Sequence, residues 1–264
     1  MADVVTIDLG NTRLKLRRWS TRSAARPALV SAAELRVEDP VLENALASLA
    51  ADRAVERVVL CCVASPAVEA ALAERLEQHF GPRFAPRLDP RLAVEVRAKD
   101  RVGQDRLFAA RGAWSLRRSA AIVIDAGTCV TVDALAPPAD AALPPRFLGG
   151  AIAPGPALLA DALARGGARL VRVEPKPGGP ALGRDTEEAL RAGVVVGLRG
   201  AVRELVLTIE REAVLERAPL FWTGGARALV CEPLLFPERA NVVEPELVHL
   251  GMLSALGHEG PSGA

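Results

Sequence analysis

The pattern Ile-Asp-x-Gly occurs twice in this chain of 264 residues, as IDLGNT from Ile7 and as IDAGT from Ile124, 117 residues apart. Each copy ends an apolar run and opens a glycine turn into a second run. Residues 3–9 (DVVTIDL) have strand composition, and residues 13–18 (RLKLRR) alternate polar and apolar with the period of a half-buried strand. Gly10-Asn11-Thr12 between them is turn chemistry, which predicts a hairpin. Residues 120–125 (AAIVID), a turn and residues 129–135 repeat the unit. A strand–turn–strand unit recurring near half-length predicts an α/β chain of two duplicated halves, 1–118 and 119–264. The length suits one large domain or two modest ones.

The remaining pattern fits alternating helices and strands. Helices are expected over 41–52, 66–80, 104–118, 156–165, 185–206 and about 246–257, with strands over 56–63 and 219–223. The segment from Pro137 to Pro145 holds four prolines and is expected as a loop, as is EPKPGGPALGRD. Gly149 to Gly155 (GGAIAPG) is expected as a Gly-rich turn, and GHEGPSGA as an end that frays.

Composition removes several function classes. A net charge of +1, from 33 basic and 32 acidic residues, leaves no electrostatic footprint for nucleic acid and no pull toward anionic membranes. No charge-free window is long enough to span a bilayer. The N-terminus has no basic leader, so the default location is the cytoplasm. Four cysteines with no C-x-x-C pair, and three histidines, argue against structural zinc or a disulfide scaffold. Cys61 and Cys62 fit a buried strand, and His79, His249 and His258 fit surface or packing roles.

Several residues can carry chemistry. Asp8 lies where a buried strand meets a glycine turn, so its carboxylate can face a cleft while Gly10 lets backbone N–H groups approach a phosphate. Thr12 adds a hydroxyl. An Asx turn satisfied by its own backbone fits Asp8 equally, but Asp125 in a matching turn favours the shared site. One or two carboxylates plus phosphate oxygens suffice to hold Mg²⁺. Lys15 fits a phosphate contact or a solvated strand face. Asp105, at a helix start, can accept a proton from a hydroxyl, and Arg106 can fork onto a carboxylate. Ordinary capping also explains Asp105. Gly224-Gly225, at a strand-to-helix switch, permits close approach of a nucleotide or simply a tight turn. The P-loop and Rossmann fingerprints are absent.

The order of motifs DLGNTRLK (8–15), VGQDR (102–106), IDAGTCVTVD (124–133), GGAIAPG (149–155), GRDT (183–186) and TGG (223–225) resembles the type III pantothenate kinases of bacteria. The resemblance implies two ribonuclease H-like domains of the sugar-kinase/actin superfamily with an active site in the cleft between them. It implies ATP-dependent phosphorylation of pantothenate to 4′-phosphopantothenate, the first step towards coenzyme A. Asp8 would organise Mg²⁺, with Gly10, Asn11, Thr12 and Lys15 around the ATP phosphates. Asp125, Gly127 and Thr128 would form a second phosphate loop, with Asp125 also a metal residue and a monovalent cation (K⁺ or NH₄⁺) nearby. Asp105 would activate the pantothenate hydroxyl, and Arg106 would bind its carboxylate in a turn shaped by Gly103. Thr186 would reach the substrate from the second subunit of a homodimer, and Gly224 and Gly225 would flank the adenosine. One departure stands out: Val96 occupies the position where the family often has Tyr. It leaves open a kinase for another small hydroxylated metabolite. A catalytically inactive nucleotide-binding regulator of the same fold is the third possibility, against which the intact Asp8, Asp105 and Asp125 argue.

Overall fold

A computed structural model describes residues 3–22, 27–232 and 234–258, so the end of the GHEGPSGA tail lies outside the described residues. β1 (Asp3–Leu9) and β2 (Leu14–Ser20) form the expected antiparallel hairpin, closed by a bond from the Gly10 N–H to the Arg13 carbonyl at 3.0 Å. β3 (Ala28–Leu35) follows, then α1 (Val41–Ala51), β4 (Val55–Cys62), α2 (Pro66–Phe80) and the two-residue β5 (Phe84–Ala85). The sequence order β1 to β5 becomes the spatial order β3-β2-β1-β4-β5, with β4 and β5 parallel to β1.

The second sheet repeats that plan. After β6 (Ala93–Val94) and α3 (Gln104–Arg117) come β7 (Ala121–Ala126), β8 (Cys129–Ala136) and β9 (Arg146–Pro154). Then follow α4 (Pro156–Gly166), α5 (Thr186–Ala213), β10 (Leu220–Thr223), α6 (Arg227–Cys231), β11 (Asn241–Val243) and α7 (Leu247–Ala255). Its spatial order, β11-β10-β7-β8-β9-β6, read from the other edge is an antiparallel three-stranded meander followed by two parallel strands, as in the first sheet. Only β6, paired to β9, is extra.

Period-two alternation decides which side chains meet. In β1, Val5, Ile7 and Leu9 join the core under α1 and α2; in β7, Ile122, Ile124 and Ala126 join the core under α5 and α6. The residues between them, including Asp8 and Asp125, therefore face inward, towards the layer shared by both sheets. That layer is filled by α3 and α7. All nine residues of α7 are buried; seven are apolar or glycine, and the polar pair, His249 and Ser254, is hydrogen-bonded to Thr6 and Arg111, as buried polar groups must be.

The two inner helices cross through glycine. A Cβ at Gly251 would run into the carbonyl of Phe108, and a Cβ at Gly112 into that of Leu247. Each glycine thus meets the residue one turn before the other helix's glycine, a local two-fold relation that matches the duplicated sheets.

Two expectations need correction, and two strands lie where none was expected. Gly149 to Pro154 form the end of β9, with only Gly155 serving as the N-cap of α4. Gly149 (φ +105°) sits at the register shift opposite Ala134 and Leu135, so the glycines mark a bulge and a close strand approach rather than a turn. Residues 28–35 and 241–243 are strands, and α5 runs to Ala213, seven residues further than expected. Among the described residues no helix is long and apolar enough to cross a membrane.

Candidate active site

The two Asp–Gly turns face each other at the mouth of the inner layer. The hydroxyl of Thr12 lies 3.2 Å from that of Thr128, joining positions 116 residues apart. Asp8 pairs in register with Lys15 across the hairpin, and Lys15 Nζ lies 3.5 Å from Asp8 Oδ2. Lys15 accordingly points into the cleft rather than to open solvent.

Asp105 enters from the first turn of α3. Gly103, the N-cap, leaves the space taken by its carboxylate, since a Cβ there would collide with Asp105 Oδ1. Asp105 Oδ1 accepts the Arg106 N–H at 2.8 Å, which holds the carboxylate back over the helix N-terminus. Arg106 turns towards the second sheet and pairs with Asp133 of β8, its guanidinium 5.5 Å above the Phe147 ring.

Gly224 closes the second turn. Its φ of +89° suits glycine, and a Cβ would strike Ala126 and the Asp125 carboxylate. The Ala226 N–H donates to the Ala126 carbonyl at 2.8 Å, tying the β10–α6 connection to the turn, while Gly225 opens onto free space. Gly127 is fixed by its N–H bond to the Cys129 carbonyl at 2.9 Å, and Asn11 is exposed at the tip of the first turn. Thr186 stands apart. It is exposed at the first position of α5, capped by Asp185, and no hydrogen bond or ion pair among the described residues joins it to the cleft.

The electrostatics show what the cleft lacks. Burial raises the proton affinity of Asp8 and Asp105. It pushes Asp125 up to about 7, helped by repulsion from Asp105, Asp8 and Asp133 and opposed by Lys15. Several carboxylates therefore compete for one lysine, an arrangement that favours an added cation. Among the described residues no group of three or more His, Cys, Asp or Glu closes a metal site by itself. The donor set fits a hard cation that takes one or two carboxylates and completes its shell with phosphate oxygens and water.

Two features escape a reading of the sequence. Asp133 lies inside the IDAGTCVTVD run, yet only its spatial partner Arg106 marks it as part of the site. The buried His249 accepts or donates at Nδ1 to the Thr6 hydroxyl at 2.8 Å, and Thr6 in turn accepts from Trp19 Nε1 at 2.9 Å. Burial keeps this histidine's proton affinity well below the usual range, so it is a packing residue. The cysteines described are free thiols, and Cys61 sits beside Asp8 on the neighbouring strand, its proton affinity raised by burial.

The sequence profile of the type III pantothenate kinase family matches residues 4–208. Curated relatives described as type III pantothenate kinase include one from Akkermansia muciniphila, 35% identical over 156 residues, which are 59% of this chain and 60% of that one. Another, from Thermomicrobium roseum, is 38% identical over 61% of this chain and 59% of its own. The chain thus matches somewhat less than two thirds of these relatives' length. Among solved structures, a candidate Baf family transcriptional activator from Campylobacter jejuni superposes with a TM-score of 0.61 at 17% identity, covering 96% of this chain and 97% of that one. A candidate N-acetylmannosamine kinase from Listeria monocytogenes gives 0.50 at 14% identity, covering 97% and 98%. At those identities the likeness concerns the fold alone, an α/β arrangement built on two sheets.

Proposed function

The chain belongs to the type III pantothenate kinase family, and on that premise we propose that it transfers the γ-phosphoryl group of ATP to the primary hydroxyl of pantothenate, giving 4′-phosphopantothenate. The observation that carries this reading is the meeting of the two turns: Thr12 touches Thr128, and Asp8, Asp105 and Asp125 share one cleft with Lys15. A transferred phosphoryl group needs positioning and charge compensation more than covalent chemistry, and facing turns on two sheets supply both.

Each residue then has a task. Gly10, Asn11 and Thr12 on one side and Gly127 and Thr128 on the other cradle the phosphates, with Lys15 as a fixed cation. Gly224 and Gly225 border the nucleoside. Asp8 and Asp125 would hold Mg²⁺ and a monovalent cation (K⁺ or NH₄⁺), which when bound neutralise phosphate charge. Asp105 accepts the proton of the attacking hydroxyl; burial raises its proton affinity towards that of a working base. Arg106 binds the pantothenate carboxylate. We place the domain boundary near residue 118. The exposed Thr186 is in keeping with a contact made across a cytoplasmic homodimer.

The test is direct. The purified protein should consume ATP when given pantothenate and Mg²⁺. Asp105→Asn should lose on the order of 10²-fold or more in kcat, with nucleotide affinity retained by equilibrium binding. A fully active Asp105→Asn protein removes the base assignment. A second acceptor is favoured by one observation: Val96, where the family often has an aromatic side chain, packs beside Gly149 and against the cluster that includes Phe147, the ring beneath Arg106. A panel of small hydroxylated acids separates the two acceptors.

A further inference from the structure

Arg106 has a strong partner inside the protein. Asp133, on the inward face of β8, takes one edge of its guanidinium. Nε lies 3.1 and 3.2 Å from the two carboxylate oxygens, and Nη2 makes a shorter bond to Oδ1. The pair is enclosed: the Asp133 side chain is 2% exposed and that of Arg106 14%. Phe147 supports the guanidinium from one face. A Cβ at Gly150, on the next strand, would collide with Asp133 Oδ1 and the Val132 carbonyl, so glycine there leaves the volume the carboxylate needs.

The geometry has a chemical consequence. A guanidinium offers five N–H donors in a rigid plane. Asp133 uses Nε–H and one N–H of Nη2. The Nη1–Nη2 edge keeps its donors, and that edge can fork onto a second carboxylate.

We infer that Asp133 is a positioning residue for recognition of the acceptor's carboxylate, fixing the plane of Arg106 so that its outer edge meets the substrate. This rests on the reading of the chain as a pantothenate kinase. Asp133 touches no reacting atom and acts only through Arg106. Without its charge, Arg106 stays buried against Phe147 but loses its inner anchor, and the outer fork loses its aim.

The experiment compares pantothenate with pantothenol, which keeps the primary hydroxyl and replaces the carboxylate by an alcohol. In the wild type, kcat/KM should favour the acid. In Asp133→Asn that preference should fall on the order of tenfold, chiefly through KM for the acid, with KM for ATP unchanged within about twofold. A merely structural role lowers both acceptors alike, and that result overturns the inference, as does a wild-type preference near one. Should Asp133→Asn not fold, the same ratio is read on Asp133→Glu, which keeps the charge but displaces the fork by a methylene; an undiminished ratio there overturns the inference too. A wild type that phosphorylates neither acceptor overturns this inference together with the proposed function. Activity with a fixed ratio overturns only the part assigned to Asp133.

Discussion

Lys15 is the cation that the buried carboxylates of the cleft share. Its charge opposes the rise in proton affinity that burial imposes on Asp8, Asp105 and Asp125. Replacing it with an isosteric apolar chain, Lys15→Met, removes that opposition, so the carboxylates protonate at higher pH. The acid limb of the pH profile of kcat/KM should therefore move upward, and activity near pH 7 should drop by about tenfold or more. Profiles of the two proteins measured side by side decide it, and an unmoved limb means that Lys15 does not set these ionisations. At this scale Asp8, Asp105 and Asp125 were legible because each sits at a strand or helix end beside glycine. Asp133 was not. Nothing local separates a buried, ion-paired aspartate from any other polar residue of an alternating strand, and its partner is 27 residues away in sequence.

The crossing of α3 and α7 links packing to chemistry, because α3 carries Asp105 at its first turn. Gly251→Ala places a methyl group against the Phe108 carbonyl, and backbone cannot step aside as a side-chain tip can. The substitution should cost about 1–3 kcal/mol or more, read as a lowered denaturant midpoint, and kcat should fall with it as the start of α3 shifts. A protein of unchanged stability and activity means that the helices separate freely. The strong elements, α1, α2, α3 and β1, were visible in the sequence through their hydrophobic period and through turn or capping residues. β3 was missed since its residues are mostly exposed and poor in β-branched side chains; pairing to β2 makes it a strand. β9 was missed since its glycines signal a turn, whereas the neighbouring backbone of β8 is what requires them.

The molecule keeps its acidic cleft at a cost to stability. Asp125 titrates at about 7 and Asp133 at about 6 in the native protein, against an ordinary value of 3.8. Between about pH 4 and 7 the native state therefore binds more protons than the unfolded chain, and this contribution to stability falls as pH rises through that window. His249, kept neutral by burial, pulls the other way below pH 6.5. The comparison that isolates the carboxylate is wild type against Asp125→Asn. The substitution should raise Tm at pH 8 and bring little or no gain at pH 5, while activity is lost at both. A gain that is larger at pH 5 contradicts the sign. The sequence by itself determined the repeated strand–turn–strand unit, the place of Asp8 and Asp125 beside its glycine turns, and the helix end that carries Asp105, because period and turn chemistry act over a few residues. The tertiary structure alone decided that the two turns touch, that Arg106 is anchored by Asp133, and that Lys15 serves a shared cleft, because those contacts depend on how two sheets close around α3 and α7.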